Sequence, residues 1–193
     1  MDDDTLMRLF QQGRDDAYEQ LVRRWDGPML NFFYRMMGDA DMAEDLRQDL
    51  FVRLYTRRDT FRGNGTFRAW LYSIASNLAR THLRRSKQWA RTRELDADDE
   101  SAAPLPETPA AGPTAADQVH RSESARLARQ LLDTLSPDER EALTLRFYEG
   151  LKYGEIAAAL DLPEPTVKSR IYRAIDRLRG AVVERGLTAA EWL

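Results

Sequence analysis

The sequence contains no cysteine. That absence excludes a disulfide scaffold, a thiolate metal site and a cysteine nucleophile. Histidine is scarce as well: His82 and His120 are the two in 193 residues, which leaves little for a histidine zinc site or a Ser-His-Asp triad. No metal, no cofactor and no catalytic residue is therefore expected. No run approaches the roughly 18 apolar residues of a membrane span, and no signal peptide opens the chain. A soluble, cytoplasmic protein without membrane insertion is expected. The two-residue alternation of strands is also missing. With 42% apolar residues over this length, one ordinary domain or two small ones can form, with modest cores rather than one large one.

Charge of one sign is missing from two adjoining stretches. The net charge of −3 conceals this. Residues 60–93 carry 8 basic side chains and no acid, whereas residues 94–117 carry 7 acids and no base. Residues 1–59 are net −4, and residues 118–193 balance 12 basic against 12 acidic groups. Such segregation points to separate partners for separate segments.

The acidic stretch reads ELDADDESAAPLPETPAAGPTAAD, with Pro104, Pro106, Pro109 and Pro113 and no aromatic residue. It cannot bury enough surface to offset its ordering entropy, so a flexible linker partly extended by its prolines is expected. It separates an N-terminal domain, 1–93, from a C-terminal one, 118–193. Both read as helical, and the fold class is all-α. Helices are expected over about 3–12, 15–37 and 40–58, with Gly27-Pro28 a candidate bend and Gly38 a stop. Leu46, Leu50, Phe51, Leu54 and Tyr55 repeat at helical spacing, as do Trp70, Leu71, Ile74, Ala75 and Leu78. Gly63-Asn64-Gly65 marks a loop between them.

In the C-terminal half, Ser136-Pro137-Asp138-Glu139 is a capping box with proline at the first helical position. Its helix is expected to stop at Gly150. A short helix over roughly Tyr153–Leu160, a turn at Asp161-Leu162-Pro163 and a longer helix to about Arg179 then fit a helix-turn-helix. Val167, Ile171, Ala174, Ile175 and Leu178 form the packing stripe of the second helix. Its other face carries Thr166, Lys168, Ser169, Tyr172 and Arg173, side chains suited to reading base edges and holding phosphates in a major groove.

The string Tyr153-Gly-Glu-Ile-Ala-Ala-Ala-Leu-Asp-Leu-Pro-Glu-Pro-Thr-Val-Lys-Ser-Arg-Ile-Tyr-Arg-Ala174 resembles the second DNA-binding domain of bacterial sigma factors, most of all the small extracytoplasmic-function class. Ala43-Glu-Asp-Leu-Arg-Gln-Asp-Leu-Phe51 resembles that family's polymerase-binding helix. Phe67-Arg-Ala-Trp-Leu-Tyr-Ser-Ile-Ala-Ser-Asn-Leu-Ala79 resembles its promoter-melting helix. The resemblance implies a factor that binds core RNA polymerase, directs it to promoter DNA and helps open the duplex, with an anti-sigma factor as a regulatory partner.

Residue by residue, the resemblance places Asp45, Gln48 and Asp49 against a coiled coil of the largest polymerase subunit. Their i, i+3, i+4 spacing puts them on one helix face and turns Leu46 and Leu50 toward the core. The loop Phe61, Arg62, Gly63, Asn64, Gly65, Thr66, together with Asn77, matches the segment that captures a flipped base of the upstream-ten element. Capture offsets an unstacking cost of about a few kcal/mol. Arg80, Arg84 and Arg85, with Lys87, Arg91 and Arg93 beyond them, are assigned to phosphates. Trp70 and Tyr72 offer rings for base stacking, although Trp70 falls on the apolar stripe, which favours the core. Trp89 is left open between bases and local packing. Lys168, Ser169, Tyr172 and Arg173 match the positions that read the upstream-thirty-five element, and Arg146 and Tyr153 match flanking phosphate contacts.

The chain departs from the family pattern at three places, with Glu164 beside two of them. Asp49 stands for the usual Glu. Pro165 stands for Gly and removes an N–H at a helix N-terminus. Lys152 stands for a capping Ser or Thr, and Glu164 repels a nearby phosphate while suiting the helix dipole. Two other functions compete on the residues alone. A stand-alone dimeric repressor or activator with a sensor domain has no need of the all-basic span 60–93. A nuclease needs metal-binding carboxylates beside the DNA face, and the acids of 1–59 are not adjacent to that span.

Overall fold

The computed structural model describes residues 1–63, 65–96 and 127–186. Among them there is no strand. The N-terminal half folds as α1 (Asp3–Gln11), α2 (Asp15–Met37), α3 (Ala40–Thr56), a 3-10 turn (Arg58–Thr60) and α4 (Phe67–Asp96). Asp2 and Asp39 cap α1 and α3 through their side chains, accepting from Thr5 N–H and Met42 N–H. Gly38 closes α2 in the left-handed region at φ 71°. Pro28 does not break α2, which runs unbroken through it. Leu21, Met29, Phe32 and Phe33 of α2 pack with Leu46, Leu50 and Leu54 of α3 and Phe67, Leu71 and Ala75 of α4 to make the core. Helix α4 continues to Asp96, three residues into the stretch read as linker; the rest of that stretch lies outside the described residues, as do Asn64 and the tail with Trp192.

The C-terminal half comprises α5 (127–132), α6 (Pro137–Leu143), a π-helical turn (Thr144–Tyr148), α7 (Tyr153–Leu160) and α8 (Glu164–Glu184). The capping box forms: Ser136 Oγ accepts from Glu139 N–H at 3.4 Å, while the Glu139 carboxylate accepts from Ser136 N–H at 3.0 Å and from its hydroxyl at 2.8 Å. Ser136→Ala is expected to lower stability by about 1 kcal/mol, read as a lower urea midpoint with unchanged slope. Helix α7 has only half of such a box, because lysine has no side-chain acceptor: the Glu155 carboxylate accepts from Lys152 N–H at 2.8 Å. Asp161 ends α7 in the left-handed region at φ 54°, and Leu162 N–H returns to Ala157 C=O at 3.0 Å. That closes the turn of the helix-turn-helix.

The two halves do not stand apart. Helix α7 lies against α4, and α6 approaches α2. One apolar cluster runs from Leu6 through Phe32 and Leu71 to Leu145, Leu151, Ile156 and Val167. A smaller one, Leu132, Leu135, Leu143 and Ala174, holds α5, α6 and α8 together.

Candidate nucleic-acid and polymerase interface

Helix α3 carries the first surface. Leu46 and Leu50 are buried, and Asp45, Gln48 and Asp49 are exposed on the opposite face. Arg47, beside them, is taken up by Asp26 and Glu44. Its guanidinium holds the Glu44 carboxyl below the usual carboxylate range. Among the described residues, neither Asp45 nor Asp49 has an ion-pair partner, so the face keeps its negative charge.

The second surface is the loop after α3. Phe61 is 6% exposed, with part of its surface turned to the cleft of this loop. Its ring lies 5.5 Å from Trp70 and 6.2 Å from Phe67, centroid to centroid, so it supports the loop from beneath. Together with Thr60, Arg62, Gly63, Gly65, Thr66, Ala69, Trp70 and Ser73, and with Ala158 of α7, it lines a cleft of about 230 Å³. Gly63 adopts φ 69° with open space around it, a conformation that suits glycine and lets a ligand approach the backbone. Trp70 packs partly on the core and partly on this cleft. Tyr72 faces the other way. It is wholly buried, edge-on to Trp25 and Phe32, so it presents no ring for base stacking.

From the cleft, Ser73, Asn77 and Arg84 follow at helical spacing along one side of α4. Asn77, Arg84 and Arg85 are exposed. Asn77 Oδ1 accepts from Arg80 at 3.4 Å. Arg80 itself is drawn off this face: it is half-buried, with its Nε 3.6 Å from the Glu141 carboxylate of α6. Lys87, Trp89, Arg91 and Arg93 lie on the same helix, beyond the residues whose side chains are described.

The third surface is α8. Ser169, Tyr172 and Arg173 are exposed, Tyr172 by 62%, and Thr166 and Lys168 are half-buried. Lys168 pairs with Glu164 at 2.7 Å. The Tyr153 ring lies between two cations, Arg146 at 4.8 Å and Lys168 at 5.4 Å. Arg146 also donates to Leu151 C=O at 2.9 Å, so in this arrangement it braces the turn before α7. Pro163 serves as N-cap of α8, and Pro165 sits in its first turn.

Arg80 and Thr66 reach across to the other half, toward Glu141 and Glu155, and further contacts join the halves. The Tyr72 hydroxyl donates to the Glu149 carboxylate, which also lies 3.4 Å from Arg35. Arg35 stacks over the Tyr148 ring at 4.3 Å. Arg140 donates to Met36 C=O at 3.3 Å, and Ala158 of α7 lines the loop cleft. Glu141 is fully buried and Glu149 nearly so. Burial pushes the Glu141 carboxyl up to about 7, against the pull of Arg80. Burial raises Glu149 and the Tyr72 hydroxyl too. The π-helical turn explains why both acids face α4. In an unbroken α-helix, residues eight apart point about 80° away from each other, and the extra residue of a π turn reduces that to about 20°.

Two family models match the chain: sigma-70 region 2 over residues 21–90 and sigma-70 region 4 over residues 125–178. The chain is 33% identical over 187 residues to RNA polymerase sigma-H factor of Pseudomonas aeruginosa, covering 93% of each chain. The chain belongs to the sigma-70 family, in its extracytoplasmic-function class. A second relative, the ECF RNA polymerase sigma-E factor of Escherichia coli K12, is 32% identical over 93% of this chain and 94% of its own. Among solved structures, the sigma factor RpoE in complex with the anti-sigma factor NepR, from Bartonella quintana, aligns with a TM-score of 0.62 at 27% identity. That alignment covers 84% of this chain and 94% of the other. This sigma factor acts in promoter-specific initiation of transcription with RNA polymerase. Its region 2 match takes in α3, the loop and most of α4, and its region 4 match takes in the helix-turn-helix. No described helix is long and apolar enough to cross a membrane.

Proposed function

We propose that the three surfaces divide the work of initiation, and that the joined halves are the unloaded state of the factor. In this reading residues 1–93 bind core polymerase through Asp45, Gln48 and Asp49 and open the upstream-ten element. Residues 94–117 act as tether, and residues 118–193 read the upstream-thirty-five element. The cleft under the Gly63–Gly65 loop receives an extruded base, with Trp70 at its wall and Asn77 beside it. Arg62, Arg84 and Arg85 hold phosphates. Thr166, Lys168, Ser169, Tyr172 and Arg173 enter the major groove, with Arg146 and Tyr153 at the flanking backbone. The protein does no covalent chemistry of its own, works in the cytoplasm and is restrained by an anti-sigma protein, as the Bartonella factor is bound by one.

The observation that carries this reading is one of scale. The two promoter elements lie about 25 base pairs apart, about 85 Å of duplex at about 3.4 Å per pair. A chain of this length folded into one body is roughly 40 Å across. The joined halves therefore cannot serve both elements. The 30 residues of 97–126 reach about 100 Å at about 3.3 Å each, enough to let region 4 move away. With Ala158 in the loop cleft and Arg80 facing Glu141, the melting surface is partly covered until that happens.

Run-off transcription with core polymerase, with and without the protein, on fragmented DNA of its host tests this. Defined start sites are expected only when both are present. Tight binding of the isolated protein to a palindromic site, with no start site gained, would instead favour the stand-alone repressor. Once a promoter is in hand, Arg173→Ala is expected to weaken use of the upstream-thirty-five element by about 1–3 kcal/mol and to relax selectivity at one base. A smaller salt slope with unchanged selectivity makes Arg173 a phosphate contact instead.

A further inference from the structure

Helix α1 precedes the region 2 match, which begins at residue 21, and no sequence motif involves it. It nevertheless touches both ends of the loop. The Gln11 side-chain amide donates to Arg58 C=O at 2.7 Å and to Phe61 C=O at 2.8 Å. Because both partners are carbonyls, the NH2 group must be the end that faces them. Those carbonyls bracket the 3-10 turn that leads into the loop. At the exit, the Asp4 carboxylate accepts from Phe67 N–H at 2.5 Å, at the first residue of α4. Thr66 Oγ1 caps the same helix end from within the loop, accepting from Ala69 N–H at 3.2 Å.

Asp4 and Gln11 are seven residues apart, hence within about 20° on one face of α1. The helix that presents them is firmly held. Leu6, Met7 and Phe10 are buried, and Asp3 accepts from the Trp25 indole at 3.2 Å while pairing with Arg24. Within the loop, Gly63 and Gly65 have open space beside their backbone. A glycine loop left to itself samples many conformations, and ordering it on binding costs affinity and selectivity.

We propose that α1 is a splint that presets the base-capturing loop, with Gln11 holding its entry and Asp4 its exit. The proposal rests on the reading of that loop as the base-capturing one. Gln11 and Asp4 are positioning residues: they act on the base through the loop backbone and touch no DNA. A preset loop discriminates between bases because a mismatched base cannot reshape it. A loop released at one end adapts, and accepts more sequences at some loss of opening rate.

The test uses the full chain with core polymerase, transcribing a promoter library randomised over the upstream-ten and upstream-thirty-five bases. Gln11→Leu keeps the length and removes both donors, and Gln11→Lys restores a donor between the two carbonyls. Gln11→Leu is expected to lower base preference at the upstream ten by about tenfold, the scale of two lost hydrogen bonds. Preference at the upstream thirty-five and core affinity should stay as in the unaltered protein, and Gln11→Lys should recover most of the loss. Asp4→Leu should behave like Gln11→Leu, and Asp4→Asn, which keeps an acceptor for Phe67 N–H, should be milder. Unchanged upstream-ten preference in both leucine variants overturns the proposal. So does a parallel fall in core affinity and thermal midpoint, since the bonds would then hold the domain and not the loop. If the unaltered protein itself shows no upstream-ten preference, the base-capture reading fails first, and that result needs no variant.

Discussion

Replacing Asp45 and Asp49 together by lysine is expected to lower affinity for core polymerase by about a hundredfold or more, the scale of several kcal/mol for like charges set face to face. Both side chains are exposed on α3, and the described residues give neither an ion-pair partner, so the substitution leaves the folded core untouched. Arg47, the one cation of this stretch, is already committed to Asp26 and Glu44. The expected pattern is therefore an unchanged thermal midpoint, an unchanged upstream-thirty-five preference in whatever holoenzyme still forms, and a large loss in a titration of labelled factor with core. Unaltered core affinity makes the acidic face an ordinary solvated one and moves the polymerase contact elsewhere.

The second large effect concerns pH. The Glu141 carboxyl is enclosed by Ser76 and Arg80 of α4, by Asp138 of its own helix and by Arg170 of α8, which is itself paired with Asp138 at 2.8 Å. Burial raises it from 4.5 to about 7, so the joined state binds a proton that the separated, hydrated state releases. Joining is therefore fully favoured below about pH 4.5 and loses strength as pH rises through about 7, with a ceiling of about 3 kcal/mol across that window. Glu149, which burial also raises, adds in the same sense. Glu141→Gln carries no titrating proton, so its joining should keep only the smaller slope left by Glu149 and be tighter than normal at pH 8. The measurement is energy transfer between dyes on the two halves, recorded from pH 5 to 8. A variant that keeps the full slope shows that Glu141 is not the group responsible.

Local features of the fold were legible in the sequence because their causes are local. The capping box, the glycine stop at φ 66° and the bounds Tyr153–Leu160 of α7 follow from neighbours within a few residues. The exposed face of α3 follows from the spacing of Leu46 and Leu50. One reading fell short. Tyr72 looks like a base-contacting aromatic when judged by motif position, yet its ring is claimed by Trp25 and Phe32. Partners such as Glu149 for Tyr72, 77 residues away, leave no periodic trace. A weak signal existed: Glu141 stands next to Ala142 and one turn before Leu145, a charge set in an apolar stripe that needs a partner or a proton. The bracing of the loop by Gln11, 50 residues from Phe61, had no signal at all, since a glutamine near a helix end is ordinary.

The absence of cysteine gives the most direct test its labels. Glu19 and Glu184 are exposed on α2 and α8, and single cysteines placed there are the only thiols in the chain. The measurement is the dye-to-dye distance in the free factor and in the complex with core polymerase and a promoter. In the free factor the distance should fit a body roughly 40 Å across. In the promoter complex it should rise toward the roughly 85 Å between the two elements. A distance that stays short in a complex that is making transcript from both elements contradicts the account.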